Sequence, residues 1–395
     1  MHVVIAHFGS HYVKNPGGVE NVICRLANAL VHQGDEVTIL YRDDKEGDPY
    51  FPLDKKVVQK NILFEGGRKV ISEKLPAGYR ILRELSRLFS QTEAQKINVK
   101  YKGKQYGKQI KNYLLNHPAD VILSCSIPST KYVVDDAACK VPVIQMLHSH
   151  PKFLFPTLSA IEKNAVKRCQ VIQILLPSGL SMVRQFFPEI PAVVIGNAVF
   201  PTEKKACPGS KKEKHLISCV GSLTKNKQQH LLCEAFAKLA DRYPDWNVEL
   251  WGYSGHFGNR VQSWIDKHAL TDRILIKGQT THVEDVYARS DIFCLPSRAE
   301  GWGLGLTEAM AAGVPAVGFK GCTGVEDLIQ DGVTGLLADH NDINSLAASL
   351  QFLMDHPQKR QEMGEKAAES MKQFSPDKIW NLWKELLKNV DEGRI

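Results

Sequence analysis

Asp291-Ile-Phe-Cys-Leu-Pro296 leads through Ser297-Arg-Ala299 into Glu300-Gly-Trp-Gly-Leu-Gly-Leu-Thr-Glu308, and then into Ala309-Met-Ala-Ala-Gly-Val-Pro315. The first run reads as a strand, the glycine-rich run as a turn and the small-residue run as a helix. Strand, turn and helix in that order aim bare backbone N–H groups and a helix N-terminus at one spot. Such a spot receives phosphate without needing a cation for every oxygen. Glu300 and Glu308 bracket the glycines, and their carboxylates can accept hydrogen bonds from hydroxyl-rich groups. Phosphate in the middle with a polyol at each end describes a nucleotide sugar.

Working outward, the same alternation runs along the whole chain. His2–His7 is a candidate strand, followed by a loop through Pro16-Gly17-Gly18, a helix over Val19–Gln33 with Gly34 as its C-cap, and a strand over Glu36–Tyr41. Later strand candidates are Asp120–Ser124, Pro142–Leu147, Val171–Leu175 and Ala192–Ile195. Their near-continuous apolar character suits parallel strands covered on both faces. The lysine- and proline-rich stretch Pro201–Lys214 breaks the pattern and reads as a linker. Alternation restarts with strand Leu216–Val220 and a helix over His230–Arg242. Further strands are Val248–Trp251, Ile274–Ile276, Ile292–Leu295 and Ala316–Gly318, and a helix spans Lys378–Asn389. A chain of 395 residues exceeds what one core sustains, so two domains are expected. The boundaries are 1–205, 206–375 and a last helical segment, 376–395, that crosses back to the first domain. The fold class is α/β, two doubly wound parallel-sheet units with ligands at the carboxyl ends of the strands.

Composition narrows the field. A hydrophobic share of 43% with 24% charged residues is globular, not disordered. The nine cysteines form no C-x-x-C pair and read as reduced, mostly buried thiols of a cytoplasmic protein. No apolar run approaches the roughly 18 residues that would span a bilayer, and Met1–Ala6 lacks the form of a signal peptide. The net charge of +7 is unevenly placed, with thirteen Lys/Arg against four Asp/Glu between Lys60 and Lys111. There Ile81, Leu82, Leu85, Leu88 and Phe89 share one helical face, while Arg80, Arg83 and Arg87 lie off it. That pattern suits either a packed surface helix or attachment to an anionic membrane at its inner face. Nucleic acid is excluded, because the stretch lacks aromatic interleaving and any known module.

The segment from Ser290 to Leu337 resembles the retaining glycosyltransferases of the GT-B fold, specifically glycosyltransferase family 4. The resemblance rests on Ser290-Asp291, Pro296-Ser297, Glu300-Gly-Trp-Gly-Leu304, Glu308 through Pro315, and Asp331-Gly332-x-x-Gly335. It implies two Rossmann-like domains facing across a cleft, with Glu300 on the donor sugar's hydroxyls and Glu308 on the ribose. It also implies backbone N–H groups around Gly301, Trp302, Gly303 and Leu304 on the diphosphate.

A second constellation is Val220-Gly-Ser-Leu-Thr-Lys-Asn-Lys-Gln-Gln-His230, at a strand-to-helix turn, where Lys225 and Lys227 bring mobile positive charge. Lys227 matches the family's lysine, whereas Ser222 stands where the family carries an arginine. Gly17 and Gly18 match a family Gly-Gly that faces the donor phosphates. His148 stands where the family often has a histidine near the donor sugar. Asn197 resembles the family's Asn-Gly-Val, with Ala198 in place of the glycine. The loops at Gly252 and Lys277–Gln279 seat the nucleoside in this fold.

The implied activity is transfer of a hexose from a nucleoside-diphosphate sugar, UDP-hexose ahead of GDP-mannose, to a saccharide or lipid-linked hydroxyl acceptor, with retention. The candidate catalytic residues are Glu300, Lys227 and His148. No cofactor and no metal is expected, since no Asp-x-Asp motif or ligand set stands at suitable spacing. A nucleotide-sugar epimerase or hydrolase of the same fold, and a non-catalytic nucleotide-sugar-binding subunit, remain open alternatives.

Overall fold

The computed structural model describes residues 1–72, 74–89 and 91–395, and the side chains of all of these but 88, 89, 91–96, 98 and 99. The facial positions expected for Leu88 and Phe89 thus lie outside the described residues. The chain divides into two compact units, Met1–Ile195 with Trp380–Ile395, and Gly196–Ile379.

The first unit holds a seven-stranded sheet and a small hairpin. Its strands are β1 (His2–His7), β2 (Glu36–Tyr41), β3 (Val58–Asn61), the hairpin strands β4 (Phe64–Glu65) and β5 (Arg68–Lys69), β6 (Val121–Ser124), β7 (Val143–Met146), β8 (Val171–Ile174) and β9 (Ala192–Val194). The sheet runs β3-β2-β1-β6-β7-β8-β9, with every pair parallel. Its central strands are buried along their length, as parallel strands covered by helices on both sides must be. Helix α1 (Gly18–His32) buries Ile23, Leu26, Ala27 and Leu30, the spacing of one helical face, and ends before Gly34 at φ +94°.

Helices α2 (Ala77–Phe89) and α3 (Gln91–Asn116) form a helical hairpin between β5 and β6. Tyr106 and Ile110 of α3 are fully buried in the core that β1 and β6 share. A Cβ on Gly103 would come within 2.5 Å of Asp136, and one on Gly107 within 2.3 Å of that residue's backbone. Only glycine lets α3 lie that close to the Tyr132–Asp136 turn. The Lys131–Asp136 ion pair, 2.5 Å long, closes the same turn.

The second unit holds β10 (His215–Val220), β11 (Trp246–Trp251), β12 (Ile274–Gly278), β13 (Ile292–Leu295), β14 (Ala316–Phe319) and β15 (Gly335–Ala338), ordered β12-β11-β10-β13-β14-β15 and all parallel. In both sheets the strand order reverses beside the unit's first strand, between β1 and β6 and between β10 and β13. Loops leave that reversal point in opposite directions, so a crevice opens at the carboxyl ends of those strands.

Three features differ from the sequence reading. Pro201–Lys214 is part of the second unit rather than a free tether. Ala206 N–H donates to the Ala312 carbonyl, Lys205 to that of Ala311, and the buried Arg360 guanidinium to that of Pro208. The helix expected over His230–Arg242 runs from Gln229 to Ala237, where turns take over and Arg273 collects the carbonyls of Ala240, Tyr243 and Trp246. Strands β3 and β15 were not foreseen: β3, Val-Gln-Lys-Asn, lacks the apolar run that marks the central strands, and β15, Gly-Leu-Leu-Ala, is apolar but only four residues long. Apart from these differences, Trp380–Ile395, from the last helix (Pro376–Asp391), clusters with the first unit.

All nine cysteines are free and only Cys207 is exposed; burial pushes thiols such as Cys219 up to about 12. Among the described residues no helix is long and apolar enough to cross a membrane.

Candidate functional site

In the second unit the reversal point is built from two loops. The loop after β10 carries Gly221 to Gln228, and the loop after β13 carries Pro296 to Gly303. Arg298 N–H donates to the Asn226 carbonyl at 2.8 Å, and the Asn226 amide returns a 2.8 Å bond to the Ala299 carbonyl. This two-way latch brings Lys227 against Glu300. Lys227 Nζ donates to Glu300 Oε1 at 2.6 Å, with the side chains 24% and 9% exposed. Neither residue is fully buried, so water reaches the pair and its members can part without stranding a charge out of solvent. The latch and the 2.6 Å contact hold the two side chains aligned at the mouth of the crevice.

Gly303 caps the helix Leu304–Ala311 at φ +82°, a left-handed conformation that bulkier residues adopt at a cost. A Cβ on Gly305 would sit 2.9 Å from the Val220 carbonyl, so this glycine lets the helix start press onto the end of β10. The N-terminus of the helix thereby opens beside Lys227 with no side-chain cap taking its amides. One turn on, Tyr287 donates its hydroxyl to Glu308 Oε2 at 3.2 Å.

Trp302 is 3% exposed. Its indole N–H donates to Thr307 at 3.2 Å, and its ring meets Phe374 edge-on at 4.8 Å. Only its backbone is left to meet a ligand. Gly252, at the end of β11, packs against Gly221 and Ser222, and Leu223 N–H bonds the Tyr253 carbonyl. Ser222 and Lys225 are exposed on that loop. Beneath them the buried Gln229 amide donates to the carbonyls of Gly221 and Ser222. Ser297, fully buried at the end of β13, has a hydroxyl with no hydrogen-bond partner among the described residues.

The first unit places a different group at its reversal point. Gly17 caps α1, and Glu20 in the first turn is 2% exposed. His7 Nε2, at the end of β1, and Ser10 Oγ lie 3.1 and 2.6 Å from Glu20 Oε1. Burial alone would raise the Glu20 carboxyl, but the hydrogen bonds from His7 and Ser10 outweigh it and hold it below the usual carboxylate range. A Cβ on Gly17 would fall 2.0 Å from Glu20 Oε2, so the glycine makes room for the folded-back carboxylate. His148 follows β7. Burial, with the nearby His7 adding to it, pushes its imidazole down to about 4. Its Nε2 is enclosed and lacks a partner among the described residues.

Sequence reasoning thus foresaw Lys227, Glu300, Glu308, Gly303 and His148 as candidates, and the structure joins Lys227 directly to Glu300. Asn226, Tyr287, Ser297 and the His7–Ser10–Glu20 network were missed. Tyr287 had no local signal, being brought to Glu308 from a helix ahead of β13. Glu20 did have one, as a carboxylate in the first turn after Gly-Gly.

Comparison with known proteins comes to the same region. The family model for Glycosyltransferase Family 4 matches residues 16–202, and that for Glycosyl transferases group 1 matches residues 201–370. An uncharacterized glycosyltransferase of Haemophilus influenzae is 26% identical over 381 residues, covering 95% of this chain and 97% of its own. Sucrose-phosphate synthase of Thermosynechococcus elongatus superposes over 99% of both chains with a TM-score of 0.77 at 17% identity. HepE of Anabaena, solved with UDP and glucose, superposes over 98% of this chain and 99% of its own with a TM-score of 0.71 at 17% identity. At such identities the two solved structures speak for the fold.

Proposed function

The chain belongs to the group 1 glycosyltransferases and has the GT-B fold; from that premise we propose that it transfers a hexose from a nucleoside-diphosphate sugar to a saccharide or lipid-linked hydroxyl with retention of configuration, in the building of cell-surface polysaccharide. The donor is a UDP-hexose, with GDP-mannose second. The observation that carries this reading is the Lys227–Glu300 pair at the β10/β13 reversal point, beside the uncapped start of Leu304–Ala311.

The free pair stores the two contacts that a donor needs. As a diphosphate arrives, Lys227 exchanges the carboxylate for phosphate oxygens, and Glu300 accepts from the sugar hydroxyls. Backbone N–H groups from Gly301 to Leu304 and the exposed Lys225 add to the phosphate site. Glu308, steadied by Tyr287, accepts from the ribose, and Gly252 and Ser222 border the nucleoside. In the first unit, His148 offers a neutral nitrogen to a sugar hydroxyl, and Gly17–Gly18 offer backbone.

The bond between the anomeric carbon and the diphosphate oxygen breaks, and its electrons leave with the diphosphate. The acceptor oxygen bonds to the same face of the carbon and passes its proton to the departing phosphate. Lys227 and the helix start carry the charge that develops there, so the reading requires neither cofactor nor metal.

Incubation with UDP-glucose, UDP-galactose or GDP-mannose plus a lipid-linked glycan extract tests it. The expected result is acceptor-dependent nucleoside diphosphate release that survives EDTA, with an α-linked product from an α-linked donor by NMR. Tight UDP binding without turnover would make the chain an accessory subunit, and a changed sugar without acceptor would make it an epimerase. Either would overturn the proposal.

A further inference from the structure

Helix α2 presents its apolar side to solvent. Ile81, Leu82 and Leu85 are 62%, 51% and 52% exposed, whereas Arg83 on the same helix is drawn in to 26%. At about 100° per residue the three aliphatic side chains share one arc, and Arg80 and Arg83 stand one step beyond its two edges. A soluble helix normally does the reverse, with its aliphatic arc inward. The hairpin α2–α3 also holds nine Lys/Arg against two Asp/Glu from residue 77 to 116, an excess equal to the +7 of the entire chain. On α3, Lys100, Lys104, Lys108 and Lys111 are exposed. The hairpin is firmly based, since Gly103 and Gly107 seat α3 against the Asp136 turn and Tyr106 and Ile110 enter the core.

We propose that α2, carried on α3, docks the protein onto an anionic lipid surface, with Ile81, Leu82 and Leu85 entering the acyl boundary and the basic side chains meeting the headgroups. Charge decides between occupants. A second copy of this hairpin would set +7 against +7, whereas an anionic bilayer complements both the apolar arc and the charge. Nucleic acid would leave the aliphatic arc in water. This inference stands on α2 and α3 alone and does not depend on the identity of the donor.

The test is co-sedimentation of the full-length protein with vesicles of phosphatidylglycerol mixed into phosphatidylcholine, against phosphatidylcholine alone. Binding to the anionic vesicles is expected, weak on the neutral ones and weakened further by 0.5 M NaCl. Two triple variants, I81S/L82S/L85S and R80A/R83A/R87A, should each lower partitioning about tenfold or more while keeping the wild-type circular dichroism and melting curve. Should the serine variant melt early, L82E alone gives the same reading. Absence of wild-type binding to the anionic vesicles would overturn the inference, as would unchanged binding by the variants. So would a light-scattering dimer that the serine substitutions dissolve without altering lipid binding, or an RNA gel shift in place of vesicle binding.

Discussion

The two reversal points share one topology and hold opposite chemistry. In the second unit the charged groups are a lysine and a glutamate at the mouth of the crevice, each the other's exchangeable partner. In the first, the carboxylate of Glu20 is enclosed and already committed to His7 and Ser10. A partly exposed pair can trade its partner for a ligand at small cost, because water and phosphate replace what is lost. A fully enclosed one cannot, because each broken bond leaves a bare group in low dielectric. One carboxylate therefore suits binding, and the other holds a loop and a helix start together.

Substitution separates the two most sharply. Lys227→Ala should lower kcat/KM on the donor by about 10²–10³-fold, the loss typical of one preorganised contact to developing charge, and should change stability by about 1 kcal/mol or less. Steady-state kinetics and urea melts read both. Glu20→Ala should invert the outcome, costing about 2–3 kcal/mol of stability by stranding His7 and Ser10. If Glu20→Ala melts like the wild type, the contrast between the units is lost.

A smaller effect is expected in pH. The His148 imidazole titrates near 4 in the folded protein, against 6.5 for the ordinary side chain. As pH falls from 6.5 toward 4 the unfolded chain takes up a proton that the folded one refuses, so stability falls across that window. Its contribution is complete above 6.5. His148→Gln should remove up to one proton from the slope of unfolding free energy against pH, measured by urea titration at several pH values; an unchanged slope would detach the histidine from its enclosure. The smallest effect is Tyr287→Phe, which should raise the KM for the donor about five- to tenfold with kcat nearly kept, because it loosens Glu308 without removing it.

Much of the fold was legible because parallel strands covered on both faces must be apolar throughout, as in Val121–Ser124 and Ile292–Leu295. Strand β3, Val-Gln-Lys-Asn at a sheet edge, was not, since an edge strand is freed from that demand. The stretch Pro201–Lys214 looked like a tether because lysine and proline mark exposed chain. Its carbonyls and N–H groups are nevertheless pinned by Arg360, Gln361 and Ala312, partners that no local pattern announces.

The sequence by itself determined the alternation of strands and helices, the glycine-rich turn after β13 and the residue types assembled around it. Those depend on neighbours within a few positions, through periodicity, backbone freedom and helix starts. Tertiary structure alone decided that Lys227 meets Glu300 across 73 positions, that Tyr287 steadies Glu308 and that Glu20 turns inward. It also decided that α2 keeps its aliphatic side in water. The physical reason is that a hydrogen bond or a buried face requires two surfaces to be brought together, and only the completed sheets bring them.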